Sequence, residues 1–330
     1  MLGGIELALM PFTIILFIIE VFYYAKCQEG PIFPNIFYVL YRGGFVHFHA
    51  AILSRIGVNA LLSWFLGSRM GLLGIGLASL ISLLVALVIK LTFLFTKKHG
   101  LKLSWYLNVR EAFEIAKLGF PESALSVYIV ILELAVNSFT LKNYAAQGVA
   151  AVAVIINIFE FTIYLSEGIS EYEIVAVNYS IGKNSSQSMD HAIKITMRAA
   201  VIEGLVLVGL ILVASTVLPE AFDIDNAETA RHATVMLRIL APTAIFICLS
   251  RITAIFYQYT RRINRTIILF GLTVALLPSL LGVIFGQIAL YGVAVGMASG
   301  PPIALTLMYG YVCLIKKEKL FDYSLMKLAS

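Results

Sequence analysis

The feature that most constrains this chain is a succession of apolar segments, each long enough to cross a lipid bilayer. A membrane-spanning helix needs about 20 apolar residues, because the hydrocarbon core is roughly 30 Å thick. Segments of this kind lie at residues 5–23, 45–67, 70–95, 118–141, 147–169, 197–218, 233–258, 265–286 and 288–315. The sequence therefore predicts an all-α integral membrane protein with about nine transmembrane helices.

The composition supports this prediction and excludes several classes of function. Hydrophobic residues make up 60% of the 330 residues and charged residues only 13%, whereas soluble domains average about 45–50% and about 25%. The sequence has no phosphate-binding loop, no clustered catalytic residues and no cysteine or histidine pair at metal-ligand spacing. We therefore expect neither an enzyme nor a metalloprotein, with no prosthetic cofactor and no nucleic-acid partner.

Basic residues in the links between segments predict the orientation. Lysine and arginine concentrate in residues 96–117, 170–196 and 259–264 and in the tail after residue 315, while the alternate links are poor in both. Cytoplasmic loops carry this excess. We expect a multi-pass protein of the cell (inner) membrane with a cytoplasmic C-terminus. We also expect it to be a monomer.

A weak internal repeat predicts the domain organisation. Phe37-Tyr38, Arg42 and Gly76-Leu-Ala-Ser79 recur at similar spacing as Phe256-Tyr257, Arg261 and Gly296-Met-Ala-Ser299. Such symmetry is typical of transporters built from two related bundles. We predict a first helical lobe that lacks its opening helices (1–95), a cytoplasmic linker (96–117), a second six-helix lobe (118–315) and a cytoplasmic tail (316–330). The fold of residues 24–44 stays undecided between a loop and a short, broken helix.

Two segments carry carboxyl groups where an ionisable side chain is costly and therefore faces a cavity or a partner. Glu133 lies near the middle of 118–141, with Asn137 on the same helical face. Asn157, Glu160 and Tyr164 begin a polar stripe along 147–169. These residues could bind a proton, Na⁺ or a cationic substrate, or they could serve as structural hydrogen-bonding groups.

Other polar residues have two readings each. The stripe continues to Glu167 and Glu171. Together with Glu173, these residues fit a solvated helix end or an acidic cavity mouth. Arg251 could pair with a carboxylate, or could gate a cavity and contact an anion. Asn59 could donate an oxygen to a cation or join two helices by hydrogen bonds.

Several motifs occur in an order and spacing that resemble the multidrug and toxic compound extrusion (MATE) family. They are Asn59-Ala-Leu-Leu62 before Gly67, Ala116-Lys-Leu-Gly119-Phe-Pro121, Gly148 to Asn157, Gly168-Ile-Ser to Gly182-Lys-Asn184, Phe222-Asp-Ile-Asp225 and Leu237-Arg-Ile-Leu-Ala-Pro242. The resemblance runs from about Phe37 to Tyr311. It implies twelve helices in two lobes and secondary-active multidrug efflux, in which small organic, often cationic compounds are antiported against H⁺ or Na⁺ by alternating access.

The chain departs from the family pattern in three respects. The three opening helices are not found, and the segment from Leu237 to Thr260 lacks the acidic residue often present there. Glu133 also lies a little farther from Pro121 than the corresponding glutamate of the family usually does. Two alternatives therefore remain: a lipid-linked oligosaccharide flippase of the same superfamily, or an inactive fragment of a transporter. Substrate identity and the choice between H⁺ and Na⁺ stay open.

Overall fold

The computed structural model describes residues 45–95, 108–222 and 224–323, and all elements assigned there are helices. The chain divides into two compact units, residues 1–119 and 120–330. The predicted span 5–23, the segment 24–44, residues 96–107 of the predicted linker and residues 324–330 of the tail lie outside the described residues. So do Phe37, Tyr38 and Arg42 of the repeat.

The described part of the first unit is a helical hairpin. Helix α1 spans Phe45–Met70 and α2 spans Leu72–Phe95. Gly71 joins them with φ +60°, a left-handed conformation that glycine adopts without steric cost. The two helices then pack closely, because a Cβ at Gly74 would lie 2.1 Å from the carbonyl oxygen of Leu66. The predicted spans 45–67 and 70–95 correspond to these helices.

The next two predicted spans form one bent element, α3, at Val109–Leu165. Ala145 breaks the helical geometry with φ 53° and ψ −166°, close to the predicted gap between 118–141 and 147–169. After Leu165 the chain turns once and continues as α4, Glu167–Gly182. The link 170–196 therefore contains most of helix α4, which the sequence did not predict.

The remaining helices complete the second unit. They are α5 (Ser186–Ala214), the single turn α6 (Leu218–Ala221), α7 (Ala227–Leu240), α8 (Thr243–Tyr259), α9 (Ile263–Phe270), α10 (Leu277–Gly286) and α11 (Leu290–Tyr309). A π-helical segment, Gly271–Leu276, links α9 to α10, and another, Gly310–Ile315, follows α11. Helices α7 and α8 meet at a 48° bend, and Pro242 at this break cannot donate a backbone hydrogen bond.

Five continuous helical stretches in the described ranges are long and apolar enough to cross a membrane, and α7 with α8 makes a sixth if the bent pair is one span. One stretch, Ala112–Gly182, has 71 residues. This is several times the length of one crossing, and it holds two of the predicted spans. The prediction of an all-helical membrane protein is confirmed.

Helix α8 forms the centre of the second unit. It packs against α4, α5, α9 and α11, and most of its side chains are buried. Small residues allow the close contacts: a Cβ at Gly204 of α5 would lie 2.5 Å from the Cα of Ile245. In membrane bundles, where lipid is as apolar as the helices, such close backbone packing supplies much of the association energy. A polar residue in α8 is therefore surrounded by protein.

The last span contains two consecutive prolines, Pro301 and Pro302. Proline in a helix interior normally breaks or kinks it, but α11 is continuous from Leu290 to Tyr309. Gly300 allows the ring of Pro278 to pack closely against α11, since a Cβ at Gly300 would lie 2.6 Å from the Pro278 ring. The helix tolerates the prolines because a neighbouring helix packs on the kink-prone turn.

The tail after α11 folds back onto one end of the second unit. Arg262 is 2.6 Å from Asp322 and 3.2 Å from Glu318, and Arg265 is 2.7 Å from Glu318. Tyr257 donates a hydrogen bond to the carbonyl of Leu320. These contacts neutralise two arginine side chains that are only 8% and 15% exposed.

A second contact fixes the tail to α5. The hydroxyl of Tyr323 donates a hydrogen bond of 2.9 Å to Asp190. Burial, reinforced by this hydrogen bond to the carboxylate, raises the pKa of Tyr323 above its ordinary value. The tail thus joins the start of α5 to the turn between α8 and α9.

We expect the ion pair between Arg262 and Asp322 to stabilise the folded protein measurably. Asp322→Asn should lower the apparent midpoint of thermal unfolding, because Arg262 stays buried with a weaker partner. In a double-mutant cycle with Arg262→Gln, the coupling energy should be about 1 kcal/mol or more. Asp225→Asn, an exposed aspartate at the other end of the unit, is the control and should change stability by less than about 0.5 kcal/mol. Additive effects of the two substitutions would show that the pair contributes nothing.

Candidate functional site

The bend of α3 brings together the two carboxyl groups that the sequence singled out. Glu133 lies before the break at Ala145 and Glu160 after it, so the two halves of α3 present them to each other. Their side chains are close enough to interact electrostatically and to share a proton through a hydrogen bond. Both are partly buried, and Oε1 of Glu160 is buried without a hydrogen-bond partner in the protein.

A hydrogen bond between two carboxyl groups has a direct chemical consequence. An ionised carboxylate only accepts hydrogen bonds, so one of the two groups must carry a proton to donate. Two adjacent carboxylates repel each other, and a proton or a metal cation between them removes the repulsion. The pair can therefore hold one monovalent cation, either H⁺ or an ion such as Na⁺.

Neighbouring polar groups add neutral oxygens to this region. Asn137 is one turn beyond Glu133, and its side-chain oxygen Oδ1 is buried without a hydrogen-bond partner. Asn157 directs its amide nitrogen to the carbonyl of Ala153 on its own helix, at 2.8 Å. Tyr164 is 54% exposed, and its hydroxyl is within electrostatic range of Glu160 and Glu133. Asn157 and Tyr164 thus lie on either side of Glu160 along α3.

Asn59 belongs to the first unit, where it joins the two helices of the hairpin. Its amide nitrogen donates to the hydroxyls of Ser79 and Ser82 at 3.1 and 3.4 Å, and its oxygen accepts from Ser63 at 3.2 Å. Of the two readings of this residue, these contacts favour the helix-joining one.

Arg251 is surrounded by carboxylates inside the second unit. Its Nη2 lies 3.0 Å from Glu122 and 3.7 Å from Glu167, and its Nε donates to Ser170 at 3.4 Å. The ring of Phe270 lies 5.2 Å from the guanidinium. Since the residue is only 6% exposed, an unpaired charge here would be very costly. Of the two readings of Arg251, this geometry favours pairing with carboxylates.

Sequence reasoning missed two members of this cluster. Glu122 follows Pro121 and is far from Arg251 along the chain, so no local pattern pairs them. Glu173 was placed with Glu167 and Glu171 at a solvated helix end or cavity mouth, but it is completely buried. The available signal was its position three residues after Ser170, on the buried face of α4.

A cavity of the described structure lies elsewhere. It has a volume of about 300 Å³ at the end of the unit opposite the tail, and Tyr144, Gln147, Glu228 and His232 contribute to its lining. None of the predicted site residues lines it. Among the described residues, no group of three histidine, cysteine or acidic side chains is arranged to hold a metal ion. The Glu133–Glu160 pair remains the better candidate because it combines buried charge with unpartnered oxygens.

The bent and tightly packed helices, with buried carboxyl groups inside an apolar bundle, define a polytopic membrane protein of the transporter type. Comparison with known proteins gives the particular family. Residues 123–284 match the model of the MatE family, and this stretch contains both Glu133 and Glu160. The resemblance expected from the sequence is confirmed: the chain carries a MatE domain and has the fold of MATE transporters, a family of transporters and not of enzymes.

Solved structures show the same fold at low sequence identity. A crystal structure of MATE in complex with MaL6 aligns with a TM-score of 0.73 at 18% identity, over 85% of this chain and 63% of the other. The outward-facing conformation of a multidrug resistance MATE transporter gives 0.71 at 19% identity, over 82% and 62%. The inward-facing conformation of such a transporter gives 0.64 at 18% identity, over 85% and 65%.

The chain therefore spans somewhat less than two thirds of the length of these structures. No curated protein gives a significant match in sequence. MATE transporters operate as multi-pass membrane proteins without a prosthetic cofactor.

The pairing of Arg251 generates a prediction about stability. Arg251→Ala should lower the apparent midpoint of thermal unfolding strongly, since removing one partner of a buried ion pair costs about 3–5 kcal/mol. Arg251→Lys should recover only part of the loss, because an ammonium cannot contact Glu122, Glu167 and Ser170 together. Arg231→Ala, which truncates an exposed arginine near the opposite end, is the control. Equal midpoints for Arg251→Ala and Arg231→Ala would contradict a paired, buried Arg251.

Proposed function

We propose that this chain is a secondary-active multidrug exporter, which moves small organic, often cationic compounds across the cell membrane in exchange for H⁺ or Na⁺ by alternating access. The observation that carries the proposal is the close approach of the Glu133 and Glu160 carboxyl groups across the bend of α3. The pair can bind one coupling cation. The MatE domain and the MATE fold support transport as the activity.

The proposed mechanism is competition for the same negative site. With the coupling cation bound, the pair is neutralised and has little attraction for a cationic compound. Without it, two adjacent carboxylates repel each other and attract an organic cation. Asn137 supplies a neutral oxygen close by, and Asn157 and Tyr164 extend the polar surface. Asn59 and Arg251 would act through helix packing, given the contacts that already occupy them.

The proposal includes the arrangement in the membrane. The tail end of the second unit would face the cytoplasm, because the basic links and the C-terminal segment lie there. The protein would act as a monomer, with residues 118–315 as its second lobe. The alternative of a lipid-linked oligosaccharide flippase needs an open cationic cavity for a pyrophosphate group, but Arg251 is buried and paired with carboxylates.

Efflux of ethidium from cells that express this chain tests the proposal. We expect efflux that stops when the ion gradient is collapsed, and the ionophore that stops it, a protonophore or a Na⁺ ionophore, identifies the coupling ion. Glu133→Gln and Glu160→Gln should each lower the initial efflux rate at least tenfold, about 1.4 kcal/mol in the coupled step, because a pair of one carboxyl group and one amide lacks the second negative charge that attracts the cation.

Glu114→Gln is the matched control, because Glu114 is an exposed glutamate of the same helix. It should keep the rate of the unmodified chain. Efflux that persists without any ion gradient, or that is unchanged in both Glu133→Gln and Glu160→Gln at equal levels of inserted protein, would refute cation-coupled transport through this pair.

A further inference from the structure

A second group of ionisable residues, distinct from the Glu133–Glu160 pair, lies between α4 and α8. One guanidinium, Arg251, is within electrostatic range of four carboxyl groups: Glu122, Glu167, Glu171 and Glu173. If all four were ionised, the cluster would carry three more negative charges than positive ones. Unpaired charge that is buried away from water is very costly, so the most buried carboxyl group of the cluster has to hold a proton or a cation.

Glu173 is the member of the cluster whose side chain has no contact with solvent. Its exposed fraction is 0%, and neither Oε1 nor Oε2 has a hydrogen-bond partner in the protein. By contrast, the side chains of Glu122 and Glu167 are 38% and 42% exposed and contact Arg251 directly. An isolated, ionised carboxylate in such surroundings is far less stable than the neutral acid.

The guanidinium has a complementary unsatisfied group. Nη1 of Arg251 is buried without a hydrogen-bond partner, while Nη2 and Nε are engaged by Glu122, Glu167 and Ser170. Ser170 precedes Glu173 by three residues on the buried face of α4, so the helix directs Glu173 to the side that Arg251 occupies. A buried donor and a buried acceptor thus lie near each other without a bond.

The other charged groups on the packed helices do not compete for Glu173. On α5, the residues Asp190, His191, Lys194 and Arg198 are exposed, and Glu203 bonds with Cys248. On α8 the charged residue is Arg251, and among the described residues it is the one that acts electrostatically on Glu173. Any ion pair of Glu173 in this arrangement therefore forms with Arg251.

We propose that Glu173 is a second proton-binding site of this protein: it holds a proton in the present conformation, and when the proton passes to water the ionised carboxylate takes Arg251 from Glu122. In this exchange, the salt bridge of Arg251 with Glu122 of α3 is replaced by a salt bridge with Glu173 of α4. The exchange gives the second unit two arrangements of the same charges, selected by one proton. The site rests on the geometry of α4 and α8 and is independent of the transport proposal.

Infrared spectroscopy of the purified chain in detergent or liposomes tests the proton. A buried, protonated carboxyl group gives a C=O stretching band that an ionised carboxylate lacks. The proton held between Glu133 and Glu160 contributes to this band as well, so the component of Glu173 is the part that differs between the variants. We expect the band at neutral pH to lose intensity in Glu173→Gln and to keep its full intensity in the control Glu114→Gln. Glu173→Gln should also unfold at an unchanged or higher temperature, because the amide replaces a neutral acid of the same shape.

A second variant tests the exchange of partners. Glu122→Gln removes the present partner of Arg251 and frees the guanidinium for Glu173, so the carboxyl band should weaken by at least half at the same pH. The proposal is overturned if Glu173→Gln leaves the band spectrum unchanged, or if Glu122→Gln leaves the Glu173 band at full strength. Neither readout involves substrate, so a failure of ethidium efflux would not be mistaken for a failure of this site.

Discussion

The cost of burying charge organises the second unit of this protein. Helix α8 is enclosed by α4, α5, α9 and α11, and Arg251 lies within it at 6% exposure. A guanidinium in that position is tolerated only with anionic partners and hydrogen bonds. Glu122, Glu167 and Ser170 supply them, and they come from two elements that the chain visits long before α8. The packing of α3 and α4 against α8 therefore depends on the side chain of Arg251.

The Glu133–Glu160 pair follows a different electrostatic principle. Arg251 balances carboxylates with a fixed positive charge, whereas the pair at the bend of α3 has no cationic residue in contact among the described residues. Its negative charge has to be balanced by something that can arrive and leave. Under the proposed function, the same bundle would contain one cluster that stabilises the fold and one that exchanges a cation. The break at Ala145 makes the Glu133–Glu160 pair possible, because the two halves of α3 can face each other only if the helix is bent.

The sequence predicted most of the fold and part of the site. Long apolar segments and the positions of the glycine and proline breaks located the helices, and the motif order indicated the MATE fold. Glu133 and Glu160 were found because an ionisable residue within an apolar span is rare. The helix α4 was missed, since its mixture of glutamate and aliphatic residues resembles a solvated link. The continuity of α11 through its two prolines could not be predicted from the sequence, because it depends on how Pro278 packs beside Gly300.

The sequence by itself determined that the chain is helical and enters a membrane, because hydrophobicity and helical periodicity are local properties that act over one or two turns. It also determined which carboxyl groups would be costly to bury. Only the tertiary structure decided how that cost is met. It brought Glu133 and Glu160 together across a bend and paired Arg251 with Glu122 and Glu167. It also buried Glu173 without a hydrogen-bond partner. Pairing depends on distances between segments remote in sequence, and those distances exist only after the helices have packed.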